Sequence, residues 1–311
     1  MMLPQLTAPL TVTDGGLETV LVYQHGIELP DFAAFPLLDT EPGRVALAAY
    51  YEPYLAIGRR LGVPVVVDTP TWRANLDWGA RLGYDAIRLA AINRRAVEFV
   101  RELATRGPGG PVQHVVDGVV GPRGDGYVIG DTVSASEAAA YHGLQARAFA
   151  EAGAAMMTGI TMTYVDEAIG VTRAASSVGL PVVISFTVET NGALPSGEQL
   201  ADAIARVDDA TDGAPVYYMV NCAHPTHFAE QLSTGAEWLP RIKAIRANAS
   251  RCSHAELDVA TELDRGDVTD LAGWYGQLHS ILPDLRVVGG CCGTDHEHVT
   301  AIAEALIGVR S

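Results

Sequence analysis

Eight apolar segments rich in β-branched residues recur along the 311-residue chain, and most of them run into Gly, Asp, Asn or Pro before a helical pattern begins. This alternation constrains the fold strongly, because two consecutive parallel strands need a helix-sized connection between them. The predicted strands span residues 10–16, 63–72, 112–122, 154–163, 181–192, 216–224, 241–250 and 285–294.

The strand count and the continuous apolar runs favour an α/β fold of the (β/α)8 TIM-barrel type. A doubly wound open sheet is the alternative, but no G-x-G-x-x-G motif follows the first strand to support its dinucleotide-binding form. No linker, repeat or low-complexity tract divides the chain, so we expect a single domain over residues 1–311. Ser134 with Glu137 predicts a capping box at the start of one connecting helix.

The composition excludes several classes of partner. A formal charge of −16 argues against nucleic acid and anionic membrane surfaces, which leaves small molecules as the expected ligands. Residues 1–16 contain neither a basic segment nor a long apolar run, and no stretch reaches the length of a membrane span. The four cysteines do not resemble a secreted disulfide framework, so we expect a cytoplasmic protein. Homo-oligomerisation is left open.

In a barrel of this type the active site lies where the strands end and the loops begin. Polar side chains at those positions are therefore candidate functional residues. They are Asp14 closing strand one, Asp68 and Thr69 closing strand two, Asp117 closing strand three, Glu189 beyond strand five, Asn221 and Cys222 ending strand six, Asn248 ending strand seven, and Cys291 and Cys292 ending strand eight.

Three of the four cysteines converge in this arrangement, since strands six and eight are separated only by strand seven. Zinc binds thiolates, and three protein ligands leave a fourth position open in catalytic zinc sites. Small neighbours give the backbone the freedom to turn two adjacent sulfur atoms toward one ion; here they are Gly289, Gly290 and Gly293. Two alternatives stay open, namely cysteines that only fill the core and a Gly-rich loop that binds phosphate. Cys252 lies outside the pattern and is expected not to be a ligand.

Three histidines lie near these cysteines in the sequence, but they favour local structure over metal binding. Thr294 followed by Glu297 predicts a capping box, so His296 and His298 are interpreted as part of a helix start. His224 precedes Pro225 and is interpreted as a loop residue.

Three motifs carry a resemblance to a known family: TDGGLET at residues 13–19, VNCAHP at 220–225 and GGCCGT at 289–294. They resemble the corresponding segments of the zinc-dependent homocysteine S-methyltransferase family, in its short, single-module form. The resemblance extends over residues 11–307, and so over nearly the whole chain.

The resemblance implies a (β/α)8 barrel whose zinc is held by Cys222, Cys291 and Cys292. It implies that the zinc binds a thiol substrate, typically homocysteine, whose amino-acid end lies near Asp14 and Gly15. The donor would be a sulfonium or betaine-type compound, with S-methylmethionine and S-adenosylmethionine as the first expectations and methionine as the product. No catalytic residue is expected beyond the zinc ligands, because the metal itself deprotonates the thiol.

A cationic donor would suit an aromatic surface, for which Trp72, Tyr127 and Phe186 are candidates. The complete set of expected substrate-binding residues is Asp14, Gly15, Glu18, Asp68, Thr69, Trp72, Asp117, Phe186 and Asn221.

One position departs from the family pattern. Ile160 occupies the place at the end of the fourth strand where the family has a glutamate that binds the homocysteine ammonium. Another acid, among them Glu18, Asp117 and Glu189, would have to replace it, or the acceptor is a different thiol. A non-catalytic zinc-binding or redox-sensing barrel is a further alternative. A Schiff-base aldolase is disfavoured because the single lysine, Lys243, lies early in strand seven.

Overall fold

The computed structural model describes residues 3–233, 235–282 and 284–310, in which eight parallel strands close into a barrel in chain order. The strands are β1 Thr11–Val12, β2 Val65–Asp68, β3 His114–Val120, β4 Met156–Met162, β5 Val182–Phe186, β6 Pro215–Asn221, β7 Ile242–Ala247 and β8 Val287–Gly290. This confirms the predicted (β/α)8 TIM barrel. Each predicted strand is present, although most are shorter than predicted because their ends turn into the loops.

Helices occupy the connections and pack around the barrel. The α-helices are α1 Leu17–Thr19, α2 Glu41–Leu61, α3 Leu76–Arg81, α4 Ala86–Arg106, α5 Ala135–Ala152, α6 Val165–Ser177, α7 Leu200–Thr211, α8 Ala229–Leu232, α9 His254–Asp258, α10 Val268–Ile281 and α11 His296–Arg310. A π-helical turn, Val20–Gln24, extends α1, and short 3-10 helices span Pro4–Leu6, Pro30–Phe32, Phe35–Asp39, Pro225–His227 and Leu239–Arg241. Over the described residues, none of these helices combines the length and the apolar character that a membrane span needs.

Two apolar layers hold the barrel together. Strand β4 shows the alternation over its first residues: Met156 belongs to the layer inside the barrel and Met157 to the layer between the sheet and the helices. Ile160 returns to the inner layer, but Met162 lies in the outer one because the register shifts between Gly159 and Met162. At the amino ends of the strands, Leu3 joins the inner layer and the Gln5 amide lies 3.0 Å from the Met156 sulfur. The N-terminal segment thereby closes the end of the barrel opposite the strand carboxyl ends.

One of the two predicted capping boxes is confirmed and the other is wrong. Ser134 and Glu137 cap α5 reciprocally, as predicted. At α11 the Thr294 hydroxyl instead donates to the Cys291 carbonyl. The cap of α11 is Asp295, whose Oδ1 accepts the backbone N–H of Glu297 at 3.1 Å.

Asp295 also makes tertiary contacts that hold α11 against the barrel. Its carboxylate contacts the His298 ring at 2.9 Å, accepts a hydrogen bond from the Gln24 amide at 3.0 Å and pairs with Arg265. Burial by itself raises the pKa of Asp295, but these partners outweigh it and hold the pKa well below its usual range.

A buried arginine ties four strands together where they end. Arg246 of β7 forms ion pairs with Asp14, just past β1, and with Asp68 at the end of β2. Its Nε donates to the Gly290 carbonyl of β8 at 3.0 Å, and the side chain is almost fully buried. Burial alone lowers the pKa of Arg246, but the two carboxylates outweigh it and raise the pKa above its ordinary value. The guanidinium is therefore a permanent buried cation.

We predict that Asp295→Ala lowers the free energy of unfolding by about 1–2 kcal/mol at neutral pH, because α11 loses its cap and a charged hydrogen-bond partner. A carboxyl whose pKa is depressed in the folded protein stabilises it above the unfolded pKa of about 3.9, and this stabilisation is lost as the pH falls. Urea unfolding at pH 7 and below pH 4 should therefore show a difference between the two proteins that shrinks in acid. Asp209→Ala, at an exposed position of α7, is the control and should change the free energy by less than about 0.5 kcal/mol.

We predict that Arg246→Met lowers the free energy of unfolding by about 3–5 kcal/mol, because two buried carboxylates lose their common cation. The matched control is Arg60→Met, which removes the exposed pair between Arg60 and Glu304 and should cost less than about 1 kcal/mol. Equal midpoints and slopes for both variants in urea unfolding would contradict the structural role assigned to Arg246.

Candidate active site

A pocket of about 610 Å³, counted with its open mouth, lies at the carboxyl ends of the strands. Its walls combine charged, apolar and sulfur-bearing side chains. The lining residues are Asp14–Thr19, Phe32, Tyr51, Asp68–Pro70, Trp72, Val119, Tyr127, Ile160, Thr161, Arg246, Cys291 and Cys292. An outer vestibule of about 1300 Å³ adjoins it and shares Thr19, Phe32, Trp72, Tyr127 and Cys292 with it.

Most of the residues predicted to bind substrate border this pocket. Those that line it are Asp14, Gly15, Glu18, Asp68, Thr69 and Trp72. Asp117 is buried beside Asp68, to which the β2–β3 register pairs it, and one of its oxygen atoms has no hydrogen-bond partner. Phe186 stacks on Tyr218 at 6.3 Å in the layer between sheet and helices, so it does not border the pocket.

The three predicted metal ligands come together at the pocket. Their Sγ atoms all lie within 4.8 Å of one another. Cys222 and Cys291 form a disulfide with their Cα atoms 5.2 Å apart, and the Cys292 sulfur lies 3.5 Å from that of Cys222. The sequence did not lead us to expect this disulfide, because the two cysteines are 69 residues apart and become neighbours only when β6 and β8 flank β7.

Tyr127 holds the sulfur cluster from the opposite wall. Its hydroxyl lies 3.0 Å from Cys222 Sγ and 3.5 Å from Cys292 Sγ. Burial, with a further contribution from Cys292, raises the pKa of Tyr127 well above its ordinary value, so the hydroxyl keeps its proton. Burial also raises the pKa of the Cys292 thiol, while the Tyr127 hydrogen bond lowers it. The sequence suggested Tyr127 only as an aromatic surface. In the structure its hydroxyl also contacts two sulfur atoms of the cluster.

The glycines around Cys291 act in two different ways. Gly293 has φ = +78°, a left-handed conformation that glycine adopts without strain. Gly290 has no such conformation, but a Cβ there would overlap the Thr294 side chain. Of the two, only Gly293 provides the backbone freedom that we predicted, whereas Gly290 is needed for close packing.

Asn221 supports the site from behind the pocket wall. Its side-chain oxygen accepts the backbone N–H of Thr161 at 3.0 Å, and its amide donates to the Thr161 hydroxyl at 2.9 Å. Thr161 has φ = +61°, and Cys222, which follows Asn221, has φ = +53°. Such left-handed conformations are costly for residues other than glycine, and the hydrogen bonds of Asn221 hold the first of them in place.

Glu18 is a partly exposed carboxylic acid on the pocket wall, in α1. Burial is the main cause that raises its pKa, to about 7, and the charge of Asp14 adds to this effect, while a hydrogen bond from its own backbone N–H and the nearby charge of Arg73 lower the pKa. Ile160 borders the same pocket with 7% of its surface exposed, so β4 presents an apolar side chain there.

The remaining candidates lie outside the inner pocket. His224 contacts the Thr226 hydroxyl at 2.9 Å, and burial lowers its pKa to about 4. Glu189 lies 3.5 Å from the His254 ring, and Lys243 is at the start of β7, away from the mouth. Asn248 lines the vestibule, and Cys252 is an exposed free thiol.

The vestibule already contains an aromatic–cation stack. The Arg73 guanidinium lies 3.8 Å from the Trp78 ring centroid and 4.7 Å from that of Trp72. Acidic side chains also line the vestibule, namely Asp31, Asp125, Asp258, Glu262 and Asp264.

Arg246 is a charged pocket residue that our reading of the sequence missed. The signal was present, because an arginine within the apolar strand 241–247 needs a buried partner if it points inward. Phe32 and Tyr51 were also missed. They come from segments far from the strand ends in sequence, and nothing in the local pattern marks them.

Comparisons with known proteins agree with this architecture. A family model described as homocysteine S-methyltransferase matches residues 11–306. The methionine synthase of Mycobacterium leprae is 28% identical over 142 residues, a match that covers 44% of this chain and 11% of that protein.

Crystal structures of the homocysteine methyltransferase MmuM from Escherichia coli have the same fold. Its oxidized form superposes with a TM-score of 0.75 at 20% identity, covering 98% of this chain and 97% of the other. Its metallated form gives a TM-score of 0.74 at 20% identity with the same coverage. Since the family model spans nearly the whole chain, this protein belongs to the homocysteine S-methyltransferase family.

Proposed function

We propose that this enzyme transfers a methyl group from a sulfonium or betaine-type donor to the thiol of homocysteine and so produces methionine. S-Methylmethionine and S-adenosylmethionine are the first donors to test. The observation that carries the proposal is the convergence of Cys222, Cys291 and Cys292 within 4.8 Å beside a pocket, in a member of this family.

The cysteine cluster fits a zinc ion in its donor chemistry. Three thiolates are a ligand set that zinc favours, and the sulfur atoms are already close enough to share one ion. Cys222 and Cys291 would have to be reduced by two electrons and two protons first, since a disulfide offers no thiolate. When bound, zinc lowers the pKa of a thiol substrate so that it is held as a thiolate at neutral pH. The proposal therefore places the enzyme in a reducing compartment.

The chain's own residues position the reactants. The Tyr127 hydroxyl contacts two of the three sulfur atoms and limits their orientations. Trp72 and Phe32 line both the pocket and the vestibule, so they would shield a reacting sulfur from water at the boundary between the two. Methyl transfer forms a bond between the acceptor sulfur and the methyl carbon as the bond to the donor heteroatom breaks. The donor methyl is already activated, so orientation is the main requirement.

Six of the expected substrate-binding residues remain in the proposed site, because they line the pocket: Asp14, Gly15, Glu18, Asp68, Thr69 and Trp72. Asp117 and Asn221 support it from behind, and Phe186 is left out. We further propose that residues 1–311 act as one domain and that the partners are small molecules.

Two alternatives have a specific observation in their favour. The apolar Ile160 on the pocket wall favours the same chemistry on a thiol other than homocysteine. The disulfide between Cys222 and Cys291 favours a redox-sensing barrel without catalysis.

The test of the proposed function is a panel of thiol acceptors and methyl donors, incubated with reduced, zinc-loaded protein. With a donor that carries a deuterated methyl group, mass spectrometry should detect labelled methionine. Cys292→Ala should lower the rate at least about 100-fold, because the thiol is no longer held as a thiolate. If no labelled product forms with any pair of donor and acceptor, catalysis is rejected and the redox-sensing alternative is favoured.

We also predict that the reduced protein binds about one zinc ion per chain. Replacing Cys222, Cys291 or Cys292 with Ala should abolish stoichiometric binding, as measured by metal analysis after dialysis. Cys252→Ser is the matched control, because it removes a thiol that lies outside the cluster, and it should leave the zinc content unchanged. Full zinc retention by Cys291→Ala would falsify the assigned ligand set.

A further inference from the structure

The pocket lining contains three carboxylic acids and one arginine. The acids are Asp14, Glu18 and Asp68, and the base is Arg246. An amino-acid acceptor brings an ammonium group into this space, and a buried ammonium needs a carboxylate partner. The acids differ in whether they are free to provide one.

Asp14 and Asp68 are already engaged by the protein. One oxygen of Asp14 pairs with Arg246, and the other accepts a hydrogen bond from the Tyr50 hydroxyl at 3.0 Å. Asp68 pairs with a different nitrogen of the same guanidinium. Only 5% of the Asp14 surface is exposed, so a ligand has little access to it.

Glu18 differs from both acids. It is more exposed than either, and it borders the pocket together with Cys292 and Ile160. Within residues 3–233, 235–282 and 284–310, it forms no ion pair with a cationic side chain and no hydrogen bond to another side chain. Burial raises the pKa of Glu18 in spite of a hydrogen bond from its own backbone N–H, and a cation placed beside the carboxyl would restore its charge.

We propose that Glu18 is the residue that binds the α-ammonium group of the acceptor and so determines specificity for amino-acid thiols. The inference rests on the proposed function above and assigns the ammonium to α1 rather than to β4, where Ile160 offers no acceptor. Charge-assisted hydrogen bonds of this kind change affinity by roughly 10-fold to 100-fold.

The experiment measures binding without zinc and without turnover. Reduced, chelator-treated protein is titrated calorimetrically with methionine and with 4-(methylthio)butanoate, which differs from methionine only by the missing amino group. The variants are Glu18→Gln and, as matched control, Glu98→Gln, which removes the same charge from an exposed position of α4 outside the pocket and the vestibule.

Wild type should bind methionine at least about tenfold more tightly than the amine-free analogue. Glu18→Gln should bring that ratio close to one by weakening methionine binding alone, and Glu98→Gln should keep the wild-type ratio. A wild-type ratio near one would overturn the proposal without any variant. An unchanged ratio in Glu18→Gln would also overturn it, and Glu18→Ala repeats the test if the Gln variant does not fold.

The outcome is separable from that of the proposed function. A Glu18-dependent preference for methionine, with no methyl transfer from any donor, would keep the ammonium site and reject the methyltransferase reaction proposed here. Methyl transfer to homocysteine with an unchanged KM in Glu18→Gln would keep the reaction and reject the role of Glu18.

Discussion

The guanidinium of Arg246 lies between the carboxylates of Asp14 and Asp68, and much of the pocket depends on this contact. Through these two partners and the Gly290 carbonyl, one side chain joins the ends of β1, β2, β7 and β8. Three buried charges are tolerable there because each has a partner within the low-dielectric interior. The same contact bears on the proposed ammonium site, since it occupies Asp14 and Asp68, whereas Glu18 forms no ion pair within the described part of the chain.

The sulfur cluster can exist in two chemical states that exclude each other. In one, Cys222 and Cys291 form a disulfide and Cys292 remains a thiol. In the other, all three sulfur atoms are thiolates and can share a soft metal ion. The left-handed backbone at Cys222 and the Tyr127 hydroxyl keep the sulfur atoms together. The redox state of one bond therefore governs whether the proposed zinc site is available.

The pocket is chemically asymmetric. Its charged side is formed by Asp14, Asp68 and Arg246 and its apolar side by Val119 and Ile160, and Cys292 lies at its boundary with the vestibule. A thiol with a polar end and a short apolar chain matches this distribution. The acidic, aromatic vestibule beyond the sulfur atoms suits a cationic donor that approaches from outside. The stack of Arg73 on two tryptophans means that such a donor would meet partly occupied aromatic faces.

The amino-acid sequence by itself determined the eight strands, the barrel and the cysteines of the site, because hydrophobic periodicity is local and parallel strands end at one edge. The N-cap of α5 was predictable for the same reason, since its partners are three residues apart. At α11 the choice of Asp295 over Thr294 depends on Arg265, 30 residues away. The disulfide, the inward direction of Arg246 and the outward direction of Phe186 likewise follow from strand register and barrel closure. These three features depend on the tertiary structure, because each involves residues that are distant in the chain and become neighbours only when the barrel closes.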